Sequence, residues 1–484
     1  MTASLRNRSV ADLRTLLDKK EISSRELTQS FLVEIEKKNP KLNAFLTVAK
    51  TEALEQADAA DRLLQGRSPQ APLAGIPIAI KDNILVQGLR ATAGSKFLEK
   101  FISPYDSTVA KRLRDQGAVF LGKTNLDEFG MGSSNENSAY GPVRNPWDPS
   151  CVPGGSSGGS AAALAARMTP LALGTDTGGS VRFPAALCNV VGLKPTYGRV
   201  SRYGIVAFAS SLDQVGPMAR TVGDTQTLFE TIAGHDPLDS TSAPLPVAKS
   251  EITPIRGLKI GYPKEYLPKE LSPEVRENFL AALKVLEKSG ATVAEISLPH
   301  TDYGIACYYI IAPAEASANL ARYDGVRYSR RTSGADGIGK LITRSRSEGF
   351  GAEVRRRILI GTFVLSSGYY DAYYLKAQKV RTLIRKDFSD AFRKVDVIAT
   401  PTSPTPAFKI GSKTSDPLEM YLSDVFTVTI SVAGLPALVV PAGFTKQNLP
   451  LGLQFVGKPF EEGTLFRAGR AFEAETRYFE KEPS

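Results

Sequence analysis

Hydrophobic and polar positions change period repeatedly along the chain, and each change marks an element. Ser23-Ser24-Arg25-Glu26 has the Ser-x-x-Glu spacing of a capping box, and Leu27, Phe31 and Ile35 follow at helical spacing. The pattern predicts a helix that stops at Asn39-Pro40. Residues 51–64 read as a second, Ala-rich helix ending at Gly66. Gly75-Ile76-Pro77-Ile78-Ala79-Ile80 is a short unbroken apolar run closing on Lys81-Asp82, the pattern of a buried strand end. A helix over 107–116 and a strand over 118–122 give a β/α alternation. It resumes with a strand over 258–261, a helix over 273–289 and a strand over 292–297. Helical segments over 303–322, 351–365 and 369–392 follow, then strands over 395–400, 437–441 and 451–456 and a last helix from Glu462. These elements predict an α/β fold with a mixed or parallel sheet and a helical insertion over about 303–392.

The stretch 145–204 breaks this pattern. It is crowded with Gly, Ser, Thr and Pro and holds one Ala-rich helix, 160–167. A flexible linker has such a composition, but Ala161 to Ala166 and Leu171-Ala172-Leu173 require burial. A Gly-rich loop entering a small-residue helix is the architecture of a site. The better linker candidate is the Pro- and Ser-containing segment 243–249. A length of 484 residues allows roughly three domains at about 150 residues each, yet large α/β chains run this long around one sheet, and no internal repeat is visible.

Charge and composition narrow the chemistry. Sixty Lys and Arg against 50 Asp and Glu leave a net +10. No dense basic block or aromatic-interleaved stripe accompanies it, so solvated surface charge is favoured over a nucleic-acid face, and indirect contact with a polyanionic partner stays open. No apolar run reaches the ~18 residues of a membrane span, and the first residues lack the apolar core of a signal peptide. Cys151, Cys188 and Cys307 are too few and too scattered for a disulfide framework or a thiolate metal site, which predicts a reducing, cytoplasmic setting. Only two histidines exist, His235 and His300, so a mechanism needing a His base has two candidates.

Gly155-Ser156-Ser157-Gly158-Gly159 fits the G-x-S-x-G elbow. That mechanism needs a histidine, and His235 sits in a turn-like Gly-His-Asp-Pro while His300 follows Leu-Pro at a strand end. Asp176-Thr177-Gly178 lacks the second Asp-Thr/Ser-Gly of a carboxylate dyad. No lysine follows the Gly-rich loop where a P-loop needs one. A hydroxyl-rich site without histidine remains: the loop 154–160, and Ser180 after Gly178-Gly179, whose glycines let successive N–H groups point one way as an anion-stabilising nest. Lys81 ends the apolar strand. Desolvation there would disfavour its charge and let a neutral amine take a proton from a serine. Asp82 would oppose this, but strand neighbours face opposite sides. The plain alternatives are a solvated strand end for Lys81 and ordinary turns for the Gly/Ser loops.

Together these segments resemble the amidase signature family. The resemblance rests on Gly75 through Asp82, the loop 154–160, Gly174-Thr175-Asp176-Thr177-Gly178-Gly179-Ser180-Val181-Arg182-Phe183-Pro184 and Gly192-Leu193-Lys194-Pro195-Thr196, a core over about 75–220. It implies one amidase domain over 1–484: a mixed β-sheet core covered by helices on both faces. It implies a triad of Lys81, Ser156 in a cis peptide and nucleophilic Ser180, with the N–H groups of Thr177, Gly178, Gly179 and Ser180 as the oxyanion hole. Ser157 is then not the nucleophile.

Further segments, among them Asp127 through Ser134, Arg202 through Gln214 and Ser366 through Tyr374, narrow the resemblance to the tRNA-dependent amidotransferase branch of that family. This implies a glutaminase, part of a carbon–nitrogen ligase with glutamine as amido donor. Its ammonia would convert Glu-tRNA(Gln) to Gln-tRNA(Gln), with Asp-tRNA(Asn) as a further substrate in some members. The resemblance further implies that B and C subunits complete a heterotrimer, that tRNA is met mainly through B, and that this chain holds no metal or cofactor, ATP and Mg²⁺ being expected at the partner. Glutamine is a zwitterion, so its site needs a cation and an anion. By position in the family pattern Arg357 meets the carboxylate, Asp424 the ammonium, and Tyr308 forms a polar wall. Ser329 departs from the pattern, which has Gly there. The alternatives are a stand-alone amidase on small amides, which needs the triad but not Arg357 and Asp424, and a non-catalytic scaffold.

Overall fold

The computed structural model describes residues 5–65, 71–247, 253–327 and 329–483. The predicted helix end at Gly66 and the last two residues of the linker candidate, 248–249, lie outside them. Eleven strands form one sheet: β1 (Phe45–Val48), β2 (Pro77–Lys81), β3 (Val119–Thr124), β4 (Leu171–Asp176), β5 (Val191–Lys194), β6 (Gln214–Ala219), β7 (Lys259–Pro263), β8 (Thr292–Ile296), β9 (Val397–Pro401), β10 (Ala437–Phe444) and β11 (Pro450–Gly457). Their spatial order is β1-β3-β2-β4-β6-β5-β10-β11-β9-β7-β8. β2 runs parallel to both its neighbours, β3 and β4, whereas β4 and β6 are antiparallel, so the sheet is mixed.

An unbroken apolar strand belongs where both faces are covered, and every residue of β2 is buried. Alternate residues feed two cores. Val397 and Ala399 of β9 join one cluster while Ile398 joins the other, and Leu453 and Phe455 of β11 face away from Val456 in the same way. Helices pack on both sides of the sheet through these two cores.

The capping box forms as its spacing requires. Ser23 Oγ accepts the Glu26 N–H at 3.1 Å, and the Glu26 carboxylate takes the Ser23 N–H at 2.8 Å. The helix it opens, α1 (Ser24–Leu42), runs past Pro40 and ends on Asn43 in the left-handed conformation. Proline at that place frees the carbonyl of Glu36, an exposed residue within reach of water. α2 (Gly158–Ala165) and α3 (Arg182–Cys188) are short and wholly buried. The predicted insertion contains α4 (Gly304–Asn319), α5 (Ala352–Leu365) and α6 (Lys376–Ala391), the last entered through a π-helical turn, Asp371–Leu375. α7 (Val428–Ala433) follows. Ser329 lies in a bend rather than a helix, at φ 80°, a conformation suited to the glycine that the family resemblance leads one to expect there.

Arg182, fully buried at the start of α3, ties these layers together. Its Nε and Nη2 meet the Asp176 carboxylate at 3.0 Å each, Nη1 reaches Gln454 Oε1 at 2.9 Å and the Thr427 carbonyl at 3.1 Å, and Nη2 also meets Ser431 Oγ at 2.7 Å. One side chain thus joins β4, α3, α7 and β11. Removing one partner of a buried pair leaves the other charge uncompensated. Arg182→Met is expected to lower unfolding free energy by about 3–5 kcal/mol, read from the midpoint of urea denaturation; a loss under about 1 kcal/mol would mean that the pair does not hold the layers.

Candidate active site

β2, third of the eleven strands from one edge of the sheet, ends on Lys81, which is 0% exposed. Its Nζ lies 2.8 Å from Ser156 Oγ, 2.9 Å from Ser157 Oγ, 2.9 Å from Thr175 Oγ1 and 3.2 Å from the Thr175 carbonyl. Burial pushes this amine down to about 7, against the opposing pull of Asp127, Asp176 and Asp213. Asp82 turns to the other face, as strand alternation requires, and pairs there with Lys123 at 3.1 Å.

Ser156 follows a cis Gly155–Ser156 peptide bond, the arrangement that the family resemblance implies. Ser157, the serine of G-x-S-x-G, is fully buried at the entry to α2. Its Oγ donates to the Thr175 carbonyl at 3.2 Å and accepts from Lys81, so it is walled off from any substrate. The main chain ties the two loops together, because the Ser157 N–H donates to the Ser180 carbonyl at 3.0 Å.

Ser180 closes the turn between β4 and α3. The turn is clamped from both ends by Asp176, which accepts the Val181 N–H at 3.2 Å besides pairing with Arg182. Burial would raise the Asp176 carboxylate, but the Arg182 guanidinium holds it below its ordinary range. Thr177 Oγ1 is fixed on Asp213 at 2.6 Å. Among the described residues, the N–H groups of Gly178, Gly179 and Ser180 find no acceptor within the chain. Glycine is required at 178 by close approach: a Cβ there would sit 2.5 Å from the Tyr308 ring. Tyr308, on α4, therefore lies directly over the nest.

The next residue on α4, Tyr309, joins the two charged residues named for recognition. Its hydroxyl donates to Asp424 Oδ2 at 3.0 Å, and the Arg357 guanidinium lies 4.6 Å from its ring centre. Arg357 also lies over Tyr421 at 4.8 Å and donates from Nε to Glu353 at 2.6 Å. Asp424 accepts a second hydrogen bond from Ser133 at 2.7 Å. Burial lifts Asp424 to about 6, with Ser133, Tyr309 and Arg357 holding it down. Burial disfavours the Arg357 charge, yet the carboxylate of Glu353 and the surrounding rings keep it firmly protonated.

All of the side chains named from the sequence thus fall in two adjoining clusters, Lys81–Ser156 with the Ser180 turn, and Arg357–Asp424 with Tyr308 beside them. The participants not named from the sequence include Thr175, Ser133, Asp213, Tyr309, Tyr421 and Glu353. Glu353 stands four residues before Arg357 on one helix, a spacing that brings the two together and was available as a signal. The histidines lie elsewhere: His235 Nδ1 meets the Ser242 carbonyl at 3.2 Å, and His300 Nδ1 meets Asp387 at 2.8 Å.

A family model described as Amidase matches residues 26–466. The chain is 56% identical over 473 residues, 97% of each chain, to the A subunit of the glutamyl-tRNA(Gln) amidotransferase of Geobacter metallireducens. It is 56% identical over 483 residues, 99% of each chain, to the protein of that name in Geobacillus thermodenitrificans. The crystal structure of the corresponding glutamyl-tRNA(Gln) amidotransferase chain from Thermotoga maritima superposes with a TM-score of 0.81 at 46% identity, over 97% of this chain and 95% of that one. With a family match across nearly its whole length and the same fold, the chain belongs to the amidase family.

Proposed function

We propose that this chain is the glutamine-hydrolysing subunit of a tRNA-dependent amidotransferase, a carbon–nitrogen ligase with glutamine as amido donor. The observation that carries this reading is the pairing of a buried cation and a buried carboxylate, Arg357 and Asp424, on one tyrosine beside the nest that holds Ser180. A general amidase has no use for that pair; an α-amino acid needs both. The names of the relatives support the same assignment.

In this mechanism neutral Lys81 takes the proton of Ser156 as Ser156 takes that of Ser180. Ser180 Oγ attacks the side-chain amide carbon of glutamine, and the N–H groups of Thr177, Gly178, Gly179 and Ser180 hold the oxyanion. The relay returns the proton to the departing nitrogen, ammonia leaves, and an acyl-enzyme ester remains. Water then attacks the ester through the same relay and glutamate is released. Lys81 suits this role because its amine titrates near neutrality and has hydroxyl oxygens within hydrogen-bond distance. Ammonia passes to the B subunit, where ATP and Mg²⁺ activate misacylated tRNA; the C subunit completes a cytoplasmic heterotrimer.

Ammonia release from L-glutamine, with partner subunits, ATP and misacylated tRNA present, tests the reading directly. Ser180→Ala is expected to lower it by about 10⁴–10⁶-fold, and near-native release would remove Ser180 from the mechanism. Turnover of simple amides by the chain alone, with none of glutamine under any condition, would replace the reading with a stand-alone amidase. Arg357→Lys keeps a charge against Glu353 but loses the planar fork. It should raise the KM for glutamine by about 10–100-fold and leave a small amide without a carboxylate nearly unaffected; equal losses on both would mean that Arg357 only supports the fold.

The base must be neutral, and burial sets Lys81 near 7. For a small amide, kcat/KM is therefore expected to rise about tenfold per pH unit below about 7 and level off above it. Glutamine should add a second limb near 6, where Asp424 ionises. A profile flat between about pH 5 and about pH 9 would exclude a lysine base.

A further inference from the structure

The helix that carries Arg357 has two unlike faces. Glu353, Val354, Arg357, Gly361 and Val364 of α5 are buried. Its packing on α4 is so close that a Cβ at Gly361 would overlap the Pro313 carbonyl, which leaves no slack between α5 and the helix of Tyr308 and Tyr309. The opposite face is bare. Leu359 is 71% exposed and Phe363, one turn on, is 47% exposed. The Phe363 ring lies 4.3 Å from Tyr369 and 5.9 Å from Tyr373, and both tyrosines are more than 40% exposed. Tyr370 and Tyr374 lie beside them, tilted to each other with ring centres 5.3 Å apart. The π-helical turn Asp371–Leu375 carries Tyr373 and Tyr374 and starts just after Tyr370, and such turns concentrate at functional places.

An exposed cluster of aromatic and aliphatic side chains is the composition of an interface centre. Its rim is basic: Arg355, Arg356, Lys376 and Lys379 are exposed around it, against Asp371 on the turn. A second copy of a chain with net charge +10 would set one cationic rim against another, which opposes self-association. The rim calls for a partner with an apolar centre and acidic edges.

We propose that this face, Leu359 and Phe363 of α5 with Tyr369 to Tyr374, docks the protein that receives the ammonia; this rests on the glutaminase reading above. A partner seated here lies one helix diameter from Arg357. It presses on the element that positions the carboxylate partner of glutamine, so docking and glutamine binding act on the same helix.

The test uses the full chain co-expressed with its partner subunits. Leu359→Asp and Phe363→Asp place a charge at the centre of the face, and Leu63→Asp, at a 57% exposed site on another helix, is the control. Leu359 is so exposed that its replacement leaves packing intact. Both face variants should keep the wild-type melting transition and lose at least about tenfold in affinity for the partner, while Leu63→Asp assembles as wild type. Unchanged assembly of both variants would overturn the proposal. So would loss of a homodimer in sedimentation velocity with partner binding intact, which would give the face to a second copy. Loss of binding to anionic phospholipid vesicles with partner assembly intact would overturn it in favour of a membrane. If the wild-type complex assembles but releases no ammonia from glutamine, the glutaminase reading fails, and the docking face is judged on assembly alone.

Discussion

The site depends on one desolvated amine. Lys81 lies in a sheet whose neighbouring strands leave its side chain no exposed surface, and burial pushes it toward the neutral amine. Three carboxylates stand near enough to restore that charge, and each is engaged elsewhere. Asp127 accepts the N–H groups of Asn135 at 2.9 Å and Asn137 at 3.0 Å. Asp176 is paired with Arg182, and Asp213 takes the Thr177 hydroxyl and the N–H groups of Phe208 and Ala209. None bonds to the lysine itself. Its four neighbours are a carbonyl and three hydroxyls, groups that orient an amine without fixing a charge on it.

The same carboxylates build the walls. Asp176 and Arg182 close the turn that carries Ser180, and Arg182 reaches on to Gln454 and Ser431, so the turn is held by strands and helices from far along the chain. Asp213 holds Thr177 at the other edge of the nest. A group that tempers the lysine from a distance is thus also one that fixes the backbone facing it. Changing any of these carboxylates alters both charge and geometry, and their effects on rate and stability are coupled rather than additive.

Local features were legible in the sequence. The capping box at Ser23, the apolar run of β2 and the helices 273–289 and 351–365 rest on contacts within a few residues, and they form nearly where the spacing sets them. β5 and β6 were not legible, because Val191-Gly192-Leu193-Lys194 and Gln214-Val215-Gly216-Pro217-Met218-Ala219 hold too few apolar residues in rhythm. Their place comes from antiparallel pairing with β4 and β10. Long-range polar partners were equally hidden. Ser133 reaches Asp424 across 291 positions, and no local pattern announces that bond. Lys81, Ser156 and Ser180 were legible as a set only through the family resemblance, since by residue type alone Lys81 could have ended in solvent.

Arg357, Asp424 and Tyr308 all come from beyond residue 300, while Lys81, Ser156 and Ser180 come from before residue 181. The two groups meet where α4, α5 and the segment leading into α7 pack over the sheet, and Ser133 and Arg182 tie the later portion to the earlier one by hydrogen bonds. A ribosome making this chain therefore releases Lys81, Ser156 and Ser180 long before the residues that hold their turn exist, and the Arg182 network is complete only once Gln454 has been added.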